Sequence, residues 1–162
     1  MKSILKQTIL TLALVLVGLG AAFAENNVPA PVLKAFASLH KNAEPYEWFG
    51  DGKTYFVCFE EGQQEGYAKF SSDGKLLEQG LMISEDDTPE NTMMLFEDAF
   101  ESGTITTVYK VTKTDKILLM GSDYTNRFLL YITKDGEKVK QETFPGPEEA
   151  ELEQEFNDGG DF

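Results

Sequence analysis

The sequence predicts an α+β fold built from two tandem helix-plus-four-strand repeats. Three observations predict it. Two proline-led segments with an apolar stripe are each followed by runs rich in β-branched and aromatic residues. Two similar turns close those runs, Asp73-Gly74-Lys75-Leu76-Leu77-Glu78-Gln79 and Asp135-Gly136-Glu137-Lys138-Val139-Lys140-Gln141. Matching positions also keep a nearly constant spacing. Pro29 and Phe36 match Pro89 and Phe96 at 60 residues, Trp48 matches Tyr109 at 61, and Phe70, Asp73, Gly74 and Gln79 match Ile132, Asp135, Gly136 and Gln141 at 62. A spacing that drifts so little, with each change falling in a loop, is the mark of a repeated unit.

Residues 1–24 read as a leader. Lys2 and Lys6 form a positive start, Ile9 to Gly20 is apolar, and Ala22-Phe23-Ala24 offers small residues for cleavage before Glu25. The apolar run is short of the roughly 20 residues a spanning helix needs. No cysteine stands near the cut to carry a lipid. The expectation is a periplasmic or secreted chain with no stable membrane insertion after cleavage. The full chain carries a net charge of −14, and losing two leader lysines takes it to −16. Such a surface repels nucleic-acid phosphates and anionic membranes alike, so cationic or basic protein partners are what remain.

The first unit spans residues 25–84. Val28 to His40 reads as a helix, because Pro29 and Pro31 suit a first turn and Val32, Leu33, Phe36 and Leu39 share one face. Tyr46 to Phe49, Thr54 to Phe59, Gly66 to Phe70 and Lys75 to Ser84 read as strands, separated by turns at Gly50-Asp51-Gly52-Lys53, Glu60 to Gln64 and Asp73-Gly74. The second unit spans 85–144. Asp87 or Thr88 is placed to cap a helix opened by Pro89, striped by Met93, Phe96, Ala99 and Phe100 and ended by Gly103. Strands follow at Thr104 to Thr112, Lys116 to Met120, Asn126 to Thr133 and Glu137 to Thr143. Residues 145–162 begin Pro-Gly-Pro, and Glu148 to Phe162 holds seven acids and no base, a composition that favours a disordered tail.

The pattern Val28-Pro29, Val32-Leu33, Ala35-Phe36, then Asn42-Ala43, Trp48 and Phe70 to Lys75 resembles the PepSY-like, β-lactamase-inhibitor-like (BLIP-like) family of exported bacterial proteins. The likeness is strong in the first unit. It is weaker in the second, where Thr88-Pro89 and Tyr109 depart from it. It implies that both units join in one continuous antiparallel sheet, with helices on one face and the other face concave and open to a partner. Similar folds inhibit β-lactamases, and PepSY domains have been proposed to restrain peptidases.

Chemistry is sparse. His40 is the only histidine, and Glu85-Asp86-Asp87 lacks the alternation and central glycine of a calcium loop, so no metal is expected. No G-x-S-x-G elbow occurs, and Gly50-x-Gly52 opens no helix, so no phosphate loop forms there. Cys58 is the only cysteine, which forbids an internal disulfide, and its setting in Tyr55 to Phe59 suits a buried thiol. The expectation is a protein that is not an enzyme and needs no cofactor.

Surface recognition is left. Alternation assigns Ala68, Phe70, Leu130 and Ile132 to the helix side, and Tyr67, Lys69, Leu129 and Tyr131 to the open side. Tyrosine and tryptophan anchor protein interfaces, so Trp48, Tyr67, Lys69, Tyr109 and Tyr131 are the candidate contacts for a protein or peptide partner. The alternative is a carrier holding a small or lipidic ligand between sheet and helices, among Phe36, Phe56, Phe96 and Phe100.

Overall fold

Two prolines set the first helix. In the computed structural model, which describes residues 27–146, helix α1 runs Ala30–Leu39 with Pro29 at its N-cap and Pro31 in the first turn. Val32 and Phe36, one turn apart, are its buried residues. The chain then forms β1 (Ala43–Gly50), β2 (Thr54–Glu61), β3 (Gln64–Ser71) and β4 (Leu76–Met82). Glu85–Asp87 is a single 3-10 turn, and helix α2 (Thr92–Ala99) starts later than the acids and Pro89 suggest. Asn91 stands at its N-cap, while Asp87 instead accepts the Ser84 hydroxyl at 2.9 Å. Met93 is 57% exposed, and Thr92 takes the buried place beside Phe96. Strands β5 (Thr104–Val111), β6 (Lys116–Ser122), β7 (Asn126–Thr133) and β8 (Lys138–Pro145) complete the chain.

All eight strands lie in one antiparallel sheet in the order β1 to β8, each bonded to its neighbour in sequence. Where a strand pair carries an extra residue on one side the sheet bends. Such irregularities fall at Pro45/Glu47, Lys69/Phe70, Ile105/Thr107 and Tyr131/Ile132. The result is a half-barrel. Flat strands spaced about 4.8 Å apart would put β1 roughly 34 Å from β8. Instead the Phe49 and Phe144 rings meet at 5.6 Å, and Arg127 Nε of β7 donates to Glu47 of β1 at 2.6 Å.

Both faces are packed. On the convex face α1 covers Val57, Phe59, Ala68 and Phe70, and α2 covers Leu119, Phe128, Leu130 and Ile132. On the concave face Phe56, Cys58, Tyr67, Tyr109, Leu118, Met120, Leu129, Tyr131 and Phe144 form a core of their own. This overturns the expected division into two tandem helix-plus-four-strand repeats. The helices are only ten and eight residues long, and the hydrogen bonding crosses the join at Gly80↔Val111, Leu81↔Lys110 and Met82↔Tyr109. The concave core draws side chains from β2 and β3 and from β5 to β8, so neither half owns it. One curved sheet is the structural unit.

Candidate functional site

A cavity of about 210 Å³ opens at one end of the concave face. The bulge in β1 turns Tyr46 and Glu47 toward it, and the bulge in β5 does the same for Thr106 and Thr107. Alternation then brings Cys58 of β2, Tyr109 of β5, Met120 and Ser122 of β6 and Arg127 of β7 to the same wall. Tyr46 is 55% exposed and marks the rim, where its hydroxyl lies 3.4 Å from Glu65. Tyr109 has no exposure, and its buried hydroxyl has no hydrogen-bond partner. That hydroxyl sits beside Tyr46 and Cys58, and burial above all holds it protonated far beyond the usual phenol range.

Electrostatics at this end are uneven. Arg127 grips Glu47 through both Nε and Nη2, so that pair is internally neutral. Glu65 has no cationic partner among the described residues. Burial, and next the charge of Glu47, push the Cys58 thiol up to about 12. Its Sγ lies 3.7 Å from Met120 Sδ, so the thiol is apolar packing and no nucleophile.

The residues singled out from sequence fall in different places. Tyr109 lines the cavity. Tyr67 and Tyr131 are buried deeper in the concave core, where the Tyr67 hydroxyl donates to Glu78 at 2.7 Å. The Tyr131 hydroxyl feels the charge of Glu78 but makes no hydrogen bond to it. Lys69, 8% exposed, reaches across the bowl to Glu142 at 3.2 Å and lies 4.8 Å from the Phe56 ring centre. Trp48 lies on the other face, edge-on to Phe36 of α1 at 5.5 Å. Trp48 and Tyr109 therefore do not occupy matching positions. The former pairs with Val57 on the helix side and the latter with Leu118 on the concave side, since a shift of one residue reverses the face.

The four phenylalanines of the carrier reading are also divided. Phe36, Phe96 and Phe100 pack between sheet and helices, while Phe56 lies on the opposite face. His40 stacks on Phe36 at 5.4 Å and meets Glu61 at 3.2 Å through Nδ1. Among the described residues no three of His, Cys, Asp and Glu gather as metal ligands, and no helix is long and apolar enough to cross a membrane. The leader and residues 147–162 of the tail lie outside the described residues, while Pro145, expected to begin the tail, is the last residue of β8.

Sequence reading missed Arg127 and Tyr46. Arg127 is the only arginine in a chain with 28 acids, and that rarity was the available signal. Tyr46 gave no signal, because its direction comes from the bulge.

No family model and no curated protein matches the chain. Its fold is similar to several solved structures. A DUF2874 family protein from Bacteroides uniformis aligns at 17% identity and a TM-score of 0.42, over 71% of this chain and 88% of that one. A BLIP-like protein from Bacteroides fragilis aligns at 14% and 0.40, over 71% and 86%. A second DUF2874 family protein, from Bacteroides ovatus, aligns at 17% and 0.41, over 71% and 86%.

Proposed function

We propose that the protein is an exported, non-enzymatic binding module that docks a protein partner at the mouth of its half-barrel. One observation carries this reading. The mouth of the bowl holds a cavity whose rim presents the exposed Tyr46 ring. Aromatic anchors beside a small pocket are the usual centre of a protein interface. The cavity of about 210 Å³ is below the roughly 300–1,000 Å³ of small-molecule pockets, which favours an inserted side chain over a whole ligand.

The candidate contacts then divide by role. Tyr109 backs the cavity wall beside the exposed Tyr46; Tyr67, Lys69 and Tyr131 hold the bowl in shape, and Trp48 seats α1. Export follows from the leader, with residues 1–24 removed. Affinity capture of the mature protein from its own cell envelope tests the reading. Tyr46→Ala and Thr107→Trp should both lose a partner that the wild type and Tyr124→Ala retain, since Tyr124 is a 91% exposed loop residue that is not among the lining residues. An identical set of partners for all four proteins would overturn it.

A further inference from the structure

The rim of the bowl carries an arrangement that works against stability. Glu44 of β1 lies directly opposite Glu60 of β2, and Glu60 lies directly opposite Glu65 of β3. Cys58 and Tyr67 belong to the concave core, so Glu60 and Glu65, each two residues away, share that face, and Glu44 joins them through its pairing. Three like charges thus stand in one row across adjacent strands, with Cβ atoms about 5 Å apart, an arrangement that destabilises a sheet. Glu44 and Glu60 are exposed and Glu65 is half-buried, and none of the three forms an ion pair among the described residues. Glu61, on the other face of β2, is by contrast held by His40 at 3.2 Å. Apolar surface flanks the row. The exposed Tyr46 ring brings its hydroxyl to 3.4 Å from Glu65, and Met82, opposite Tyr109 in β5, is 40% exposed.

We infer that the docking partner presents a basic segment, an apolar residue flanked by lysine or arginine side chains, which lies across this row. The assignment rests on the docking reading and adds to it the chemistry of the partner. The partner's cations meet Glu44, Glu60 and Glu65 and relieve the repulsion among them, while its apolar residue packs on Tyr46 and Met82. Each of these five groups is reached from solvent, so nothing buried has to open. Methionine adapts its shape to an incoming surface, and the tyrosine face attracts a cation. Glu47 takes no part, because Arg127 already holds it. Complementary charge of this kind sets association rate and partner choice more than raw affinity, and the net charge of −14 steers basic partners inward.

Solution NMR of the mature protein with a capped pentapeptide of alternating lysine and leucine tests this. Saturable shifts are expected at Tyr46, Glu60 and Met82. The same peptide with glutamate in place of lysine should bind at least about tenfold more weakly, the sum expected for three exposed ion pairs. Glu60→Gln should weaken the lysine peptide roughly two- to fivefold. Because that substitution also removes repulsion, it should raise the unfolding temperature, which separates lost binding from lost structure. Equal binding of the two peptides, shifts as large at the exposed acids Glu85, Asp86 and Asp87, unchanged binding by Glu60→Gln or no shifts at all would each overturn the assignment. Envelope capture separates this from the docking reading. A partner lost by Tyr46→Ala and Thr107→Trp but retained when Glu44, Glu60 and Glu65 are all changed to glutamine keeps docking in place and overturns the basic segment.

Discussion

Lys69 on β3 and Glu142 on β8 meet at 3.2 Å although four strands lie between them in the sheet. A flat sheet would hold them roughly 24 Å apart. The pair therefore exists only in the curled state, with side chains 10% and 20% exposed. Its two ends are not equivalent. Glu142 also holds Lys140 at 2.8 Å, whereas Lys69 has no second carboxylate among the described residues. Glu142→Gln, which strands a nearly buried ammonium, should cost about 2–3 kcal/mol, and Lys69→Met about 1 kcal/mol. Urea unfolding of the two variants measures the difference, and equal losses would contradict it.

The concave tyrosines separate stability from binding. Tyr67 donates to Glu78 at 2.7 Å, so Tyr67→Phe should destabilise by about 1–2 kcal/mol. Tyr109 and Tyr131 have buried hydroxyls without partners, so their phenylalanine variants should match or exceed wild-type stability. None of the three variants should change partner capture, because none of the three side chains is exposed. Thermal unfolding together with capture checks both halves.

Acid should act on the β6–β7 loop. Asp123 accepts the Ser102 hydroxyl at 2.7 Å and the Thr125 and Asn126 amides at 2.8 and 2.7 Å, which lowers its pKa from 3.8 to about 2. Because the folded value lies below the unfolded one, the stability it contributes is present above about pH 4 and is lost as pH falls toward about 2. Asp123→Asn should flatten that part of the profile. Unfolding midpoints at both ends of this window, compared between wild type and variant, give the test.

Turn glycines should respond unequally. Gly52 and Gly74 both have positive φ, at +82° and +87°. A side chain at Gly52 meets nothing within 4 Å, but one at Gly74 would lie 2.5 Å from the Pro31 carbonyl oxygen at the start of α1. Gly52→Ala should cost about 1 kcal/mol, the strain of the left-handed region alone, and Gly74→Ala at least about twice that. Chemical denaturation of both, with the m-value held equal, decides it.

Cys58 should be silent in the native protein. It is 1% exposed, and burial raises its thiol to about 12. An aromatic disulfide reagent should label it only after denaturation. Rapid native labelling would mean that the bowl opens.

Much of this architecture is legible in the residues. Pro29, Pro31 and the Phe36 spacing locate α1, and Asp73-Gly74 and Asp135-Gly136 locate two hairpins. The packed concave face was legible too, in a form easily misread. Phe56-Val57-Cys58-Phe59, Leu118-Leu119-Met120 and Phe128 to Ile132 are continuous apolar runs, which mark strands buried on both faces. Reading them by alternation made one face open. Other features had no local signal. Curvature arises from four bulges, and a bulge is a pairing event between strands, invisible in either strand alone. The same cause sends Trp48 to the helix side and Tyr46 to the cavity.

The meander order has a kinetic consequence. Every strand pairs with its neighbour in sequence, so the backbone ladder is assembled from local hairpins, a topology that favours rapid folding. The contacts that close the bowl are of another kind. Glu47 with Arg127 spans 80 residues and Lys69 with Glu142 spans 73, so they must wait for the sheet between them. Interactions absent from the folding transition state are lost in reaching it from the native side, and they govern how slowly a protein unfolds. The lifetime of the native bowl is thus set at its two edges, while its rate of formation is set at its turns.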